Sequence, residues 1–330
     1  MTPEPGAEES AAEQLEHAIL GEDAVYSAAD VAGETGASIE QAQRLWRALG
    51  FPDRGAERAF TRADADAVST LLRLVDEGAI TFDMAVDLTR AVGQTMARLA
   101  DWEVATLVHR VQELATVDNG EGSRAAVALQ LLDAMNEPFE ELLVYVWRRH
   151  LAAAVARVEA LGADDADLHS TQVTVGFADI VQFTALSNRL DHDRLGDLVE
   201  IFESRCADVV AGQRGRVIKS LGDAVLFVNE DPIRAYDTAE GIIAVVGRDK
   251  RMPDVRVGLS TGSVVMRLGD VFGPPVNLAA RLTAVARRNR IIVDATTAER
   301  LPEDQFEARA LPARPVRGFG LVEPVAVRRH

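Results

Sequence analysis

The chain has 330 residues, enough for two domains of ordinary size, and its 48% apolar and 26% charged fractions are those of a water-soluble globular protein. Its net charge of −17 argues against a general nucleic-acid binder or a partner of anionic membranes, and any polyanionic substrate needs a locally basic or metal-assisted pocket. The single Cys206 permits no intrachain disulfide, no apolar run is long enough to span a membrane, and the acidic N-terminus is not a signal peptide, so a cytoplasmic setting is expected.

Residues 1–18 are rich in Glu, Ala, Pro and Gly and read as a disordered tail. Residues 19–161 read as an all-helical domain. From Ser27 the pattern is helix, Gly-containing turn and helix, with Ser38 as an N-cap, followed by Trp46 to Pro52. That arrangement resembles a winged-helix DNA-binding unit whose second helix would present Glu40, Gln41, Gln43 and Arg44. The mixed charge favours ordinary helix packing instead. Helical periodicity then predicts separate helices over Asp64–Ile80, Met84–Leu99 and Val104–Leu114. Gly120-Glu-Gly122 breaks the chain, and two more helices are expected over Ala125–Met135 and Glu140–Leu161. No nucleophile–base pair, metal-ligand spacing or phosphate loop occurs here, so this half reads as a regulatory or dimerising module.

Residues 162–170 carry Gly, three Asp and no apolar periodicity, and form a linker. Beyond it, over 171–330, short strands alternate with helices, which predicts an α+β fold with helices covering a mainly antiparallel sheet. Strands are expected at Val173–Phe177, on both sides of Gly222-Asp223, at Val255–Ser260, Ser263–Leu268 and Arg290–Val293, and around Val316 and Val325–Val327. Helices are expected along Leu195–Val209, Ile233–Val246 and Val276–Arg287.

The chemistry gathers on this half. Gly222-Asp223 between two apolar runs predicts a tight hairpin turn that lifts a carboxylate to the strand tips. Just before it stands Lys219; only it and Lys250 are lysines among 35 basic residues, which points either to a compact ammonium in that strand or to an ordinary hairpin whose Lys snorkels to water. Asp179 ends another apolar strand, and pairing of the strands would bring Asp179 and Asp223 to one edge. Two such carboxylates suit a divalent ion that also takes substrate phosphates, and two ions could align an in-line attack at phosphorus. The peptide N–H groups around Phe183 and Thr184, at a helix start, could receive phosphate oxygens. Asn277 and Arg281 lie four residues apart on one helix face and suit a ribose-phosphate group gaining negative charge.

Phe177-Ala-Asp-Ile-Val-Gln-Phe-Thr184, Lys219-Ser-Leu-Gly-Asp223 and Asp270-Val-Phe-Gly-Pro-Pro-Val-Asn277-Leu-Ala-Ala-Arg281 together resemble the signatures of class III nucleotide cyclases, in family order and spacing over about Thr171–Val327. The resemblance implies a ferredoxin-like catalytic domain that forms a head-to-tail homodimer with active sites at the interface. It implies that Asp179, the Ile180 backbone carbonyl and Asp223 hold two ions per site, Mg2+ or Mn2+. It further implies that Lys219 and Asp270 read the purine, that Asn277 and Arg281 act on the transition state, and that Arg317 stands where the family has a triphosphate-binding Lys. Lys219 can donate to adenine N1 and Asp270 can accept from its N6 amino group, whereas guanine reverses these roles, so ATP is the expected substrate. Pro274-Pro275 departs from the small polar residues usual there. The helical half is similar to the N-terminal regulatory domain of soluble actinobacterial adenylate cyclases, including pH-responsive ones, and His109, His150, His169 and His192 could let acid shift its balance.

The expectation is therefore an adenylate cyclase that converts ATP to 3′,5′-cyclic AMP and pyrophosphate. The competing readings are a nucleotide-sensing DNA-binding regulator, which has no need of both the metal pair and the Asn/Arg pair, and a guanylate cyclase.

Overall fold

The computed structural model describes residues 11–117, 124–160, 170–267 and 269–330, and the chain divides into two compact units, 1–156 and 157–330. The first unit is helical: α1 (Ala11–Leu20), α2 (Ala28–Thr35), α3 (Ile39–Leu49), α4 (Arg62–Asp76), α5 (Phe82–Val117) and α6 (Arg124–Ala160). Ser27, Ser38 and Thr61 each start a helix with a reciprocal capping box, which satisfies backbone donors the helix itself cannot pair. Gly36 and Gly50 end α2 and α3 at φ 72° and 90°, a left-handed turn that a side chain would strain. Trp46 stacks on Phe60 with ring centroids 4.0 Å apart, amid a core of Val31, Leu45, Val68 and Val86.

Two of the four polar residues proposed for base reading on α3 are committed to this packing. Gln41 accepts from the Ser38 N–H as part of the cap, and Arg44 pairs with Asp83 of α5 at 2.7 Å. Three expectations are corrected here. The end of the supposed tail is helix α1, whose Leu15 and Ile19 line an apolar cavity of about 410 Å³ together with Val104, Leu107 and Val108 of α5 and Leu131 of α6. Asp64–Ile80 is observed as α4, but the two following helices are a single α5, since Ala100-Asp-Trp-Glu103 contains no breaker. The next pair is likewise one helix, α6, which runs through Pro138. Residues 120–122 and 162–169 lie outside the described residues.

The second unit is the α+β fold. Its strands are β1 (Ser170–Ile180), β2 (Arg216–Ser220), β3 (Ala224–Asn229), β4 (Val255–Arg267), β5 (Asp270–Phe272), β6 (Ile291–Val293), β7 (Phe306–Ala310), β8 (Arg314–Val316), β9 (Gly320–Val322) and β10 (Val325–Arg329). Its helices are α7 (Phe183–Ser187), α8 (His192–Gly212), α9 (Pro232–Gly247), α10 (Pro274–Val285) and α11 (Ala295–Glu299). The main sheet runs β2-β3-β1-β4-β6-β10-β7, with β5 beside β4, and β8–β9 form a separate hairpin. All its pairings are antiparallel except β4 with β6.

Alternation along the strands sends side chains to two faces. Ala178, Ile180, Val225 and Phe227 face Phe202, Cys206 and Val210 of α8 and Ala239 and Ile242 of α9. Val173, Val175, Phe177, Leu226 and Val228 face Ala279 of α10. The two strands expected over Val255–Leu268 are one, β4, because β1 pairs with it without interruption from Ser170↔Val265 to Ile180↔Val255. Gly258 of β4 lies under α10, where an added Cβ would fall 2.4 Å from the Thr283 nitrogen and 2.5 Å from the Ala279 oxygen. The helix therefore sits on the bare backbone of the strand.

Candidate active site

The β2–β3 hairpin supplies the first two groups. Gly222 turns the chain at φ 74°, and the Leu221 N–H donates to the Ala224 carbonyl at 2.7 Å to close the loop. The Ile180 N–H donates to the Asp223 carbonyl at 2.9 Å, so the end of β1 is stitched to the turn. Asp179 faces Ala224 in the sheet register, which sets the two carboxylates at neighbouring strand ends as the sequence predicts. Burial pushes the Asp179 carboxyl up; its pairing with Arg256 pulls the other way without cancelling that rise, and the charge of Asp223 adds to it. These oxygen donors, with the Ile180 carbonyl at the same strand end, fit a hard divalent ion.

Sequence reasoning missed Arg256. It stands directly opposite Asp179 on β4, with Nε and Nη2 both 2.6 Å from Asp179 Oδ2. Its Nη1 donates to the Ala284 carbonyl of α10 at 3.0 Å. The available signal was a charged residue between apolar Val255 and Val257, which remain fully buried.

Lys219 and Asp270 meet. Lys219 Nζ donates to Asp270 Oδ2 at 2.5 Å, both side chains being about one-third exposed at 36% and 28%. A bulge in β2 places both Ile218 and Lys219 on the face of Leu226, toward β5. Burial alone would raise the Asp270 carboxyl, but the Lys219 ammonium and the Val271 N–H outweigh it and hold the group below the ordinary carboxylate range. Asn277 and Arg281 both project from the exposed side of α10. Pro274-Pro275 forms the first turn of that helix, where missing N–H groups cost nothing, and Pro275 is buried against Gly262 of β4.

Phe183 and Thr184 begin α7 after Gln182, which adopts a left-handed conformation at φ 61°. No side chain caps this helix start, but the Phe183 ring itself packs on the core, leaving only its backbone for a ligand. Arg317 is exposed in the turn between β8 and β9, remote in sequence from the other groups. Among the four histidines singled out, His109 lies 3.5 Å from Glu113, His150 is exposed, His192 opens α8 and His169 falls outside the described residues. No helix among the described residues is long and apolar enough to cross a membrane.

Residues 167–327, which hold Asp179, Lys219, Asp223, Arg256, Asp270, Asn277, Arg281 and Arg317, match the family of adenylate and guanylate cyclase catalytic domains, and residues 8–138 match the adenylate cyclase regulatory domain. An adenylate cyclase of Streptomyces coelicolor is 38% identical, with the alignment covering 99% of this chain and 92% of the relative. The chain belongs to the adenylate and guanylate cyclase family. An adenylate cyclase of Streptomyces griseus is 37% identical over 96% of this chain and 88% of its own length. A pH-sensitive adenylate cyclase of Mycobacterium tuberculosis is 30% identical over 94% and 80% respectively. The α+β unit is thus the cyclase domain, preceded by an all-helical regulatory domain.

Proposed function

We propose that the protein is an adenylate cyclase whose two equivalent sites form between the cyclase domains of a head-to-tail homodimer. The observation that carries the reading is the Lys219–Asp270 pair: an ammonium donor and a carboxylate acceptor side by side, matching the N1 acceptor and N6 donor of adenine and not guanine. Each polar group already has a partner in the other, so adenine must exchange one pairing for two, and an analogue with reversed polarity leaves both unpaired.

Asp179, the Ile180 carbonyl and Asp223 would hold the divalent ions of one site, with Mg2+ or Mn2+ supplying charge to the triphosphate and acidity to the ribose 3′-hydroxyl. Lys219 and Asp270 of the other subunit fix the base. Asn277 and Arg281, also of that subunit, orient the ribose and neutralise the charge that grows at the α-phosphate. The 3′-oxygen attacks the α-phosphorus and loses its proton, and the bond to pyrophosphate breaks, giving 3′,5′-cyclic AMP. Arg317 and the peptide groups of Phe183 and Thr184 lend positive charge to the departing phosphates.

The helical domain modulates this activity, and a response to pH is one signal it could carry. Purified protein given ATP with Mn2+ or Mg2+ should yield cyclic AMP by chromatography, with GTP turned over far more slowly. Absence of cyclic AMP would defeat the proposal, and equal turnover of GTP would defeat the base assignment. The rate-versus-pH curve of the full chain should differ from that of residues 165–330; identical curves would reduce the helical domain to a spacer.

A further inference from the structure

Arg256 touches two of the proposed functional elements at once, Asp179 of β1 and the last turn of α10. Its register partner is Asp179, and two of its guanidinium nitrogens converge on Asp179 Oδ2 at 2.6 Å. The third nitrogen reaches the Ala284 carbonyl at 3.0 Å, in the last turn of α10. Last-turn carbonyls have no partner within their own helix, so the guanidinium caps α10 as it neutralises the aspartate. The pair is largely buried, with side-chain exposures of 28% for Arg256 and 17% for Asp179. A planar fork is the side chain that can make both contacts; an ammonium is a single point.

Resting on the site assigned above, Asp179 binds a divalent ion in one active site while α10 of the same subunit carries Asn277 and Arg281 into the other. An ion seated at Asp179 would lie within a few ångströms of the guanidinium. At that range a single charge repels a doubly charged ion by more than the loss of one orienting hydrogen bond costs, so the two do not share the carboxylate on equal terms. We propose that Arg256 is a positioning residue that serves as the built-in counter-cation of Asp179, turned aside when an ion is captured, and that its release from Ala284 transmits that capture to α10, linking the two sites of the dimer.

The test uses the full-length protein with Mn2+ alone as the probe. Free Mn2+ is read by electron paramagnetic resonance, and exchange of the α10 backbone amides by mass spectrometry with and without Mn2+. Arg256→Gln should bind Mn2+ about fivefold more tightly than wild type, the ratio expected for a partly buried ion pair removed from competition. In wild type, Mn2+ should speed exchange in the last turn of α10. In Arg256→Gln that turn should exchange fast from the start and ignore Mn2+. Arg256→Lys should keep Mn2+ affinity near wild type, because it retains the competing charge, yet show the uncapped exchange pattern.

Mn2+ affinity that is unchanged or weaker in Arg256→Gln would overturn the competition, and α10 exchange indifferent to Mn2+ in wild type would overturn the coupling. A merely structural role would lower melting temperature in both variants without tightening Mn2+ binding, and that result counts against the proposal. Asp179→Asn separates the two levels: if it binds Mn2+ as wild type does, the ion-site assignment itself falls.

Discussion

Gly258→Ala tests whether the seat of α10 sets the chemistry. The new Cβ would lie 2.4 Å from the Thr283 nitrogen and 2.5 Å from both the Ala279 oxygen and the Thr283 Oγ1. Carbon needs about 3.5 Å from such atoms, so the helix must lift by roughly 1 Å. Lifting also strains the Thr283 Oγ1 donation to the Phe177 carbonyl, 3.2 Å long, which ties α10 to β1. Overpacking of this kind costs about 1–3 kcal/mol, or roughly 2–10 °C in melting temperature for a unit of this size. The larger effect should be on rate. Asn277 and Arg281, the proposed transition-state pair, ride on the displaced helix, and a shift of about 1 Å in catalytic groups costs up to ~100-fold. Thermal denaturation followed by circular dichroism, and cyclic AMP formation at a temperature where both proteins are folded, measure the two effects separately. A variant that melts early but turns over ATP at the wild-type rate would refute the idea that the strand's bare backbone holds α10 in register for catalysis.

Asp223→Ala and Asn277→Ala, each inactive alone, should regain activity when mixed as exchanging subunits, because they spoil different halves of a shared site; no recovery between folded subunits would sink the shared-site model. Lys219→Met should cut turnover of ATP by ~10-fold or more and narrow the preference over GTP, as the Asp270 carboxylate then faces the base without its cationic partner. The same variant carries a pH signature. Asp270 is held below its ordinary range, so its pairing stabilises the fold above the ordinary carboxylate value and that contribution disappears as pH falls through the lowered one. Wild type should thus exceed Lys219→Met in stability at neutral pH by at most about 1 kcal/mol, given the exposure of the pair, and the gap should close in strong acid. Burial pushes the Cys206 thiol up to about 12, so a thiol reagent at pH 8 should label the denatured protein and leave the native one untouched. Labelling of the native protein at the denatured rate would contradict the packing of α8.

Much of the site could be read from the chain because its groups lie in compact strings. Lys219 to Asp223 span one hairpin, and Asn277 and Arg281 one helix turn, so local rules place them. Asp179 and Asp223 needed only the inference that two apolar strands pair. What escaped was non-local. Arg256 lies 77 positions from Asp179 and joins it through strand register alone, which no local pattern encodes. The split of β4 into two expected strands has the same origin, since Thr261-Gly262 looks like a turn until β1 is laid beside it. In the helical domain helical periodicity suggested breaks between Leu99 and Val104 and between Met135 and Glu140. The observed α5 and α6 pass through both, continuous over 36 and 37 residues.

The bulge in β2 sets a condition on base recognition that residue identity does not capture. With a flush register, Val217 would still face Phe227, but Lys219 would fall opposite Val225 and point into the core under α8 and α9. The one inserted residue, Ile218, moves Lys219 opposite Leu226 and delivers its ammonium to Asp270 instead. A relative with every signature residue in place but a regular β2 would therefore look like a complete cyclase on paper yet hold no lysine against Asp270. If Lys219 reads the base as proposed, one residue more or fewer in β2 decides which side of the sheet can reach the substrate.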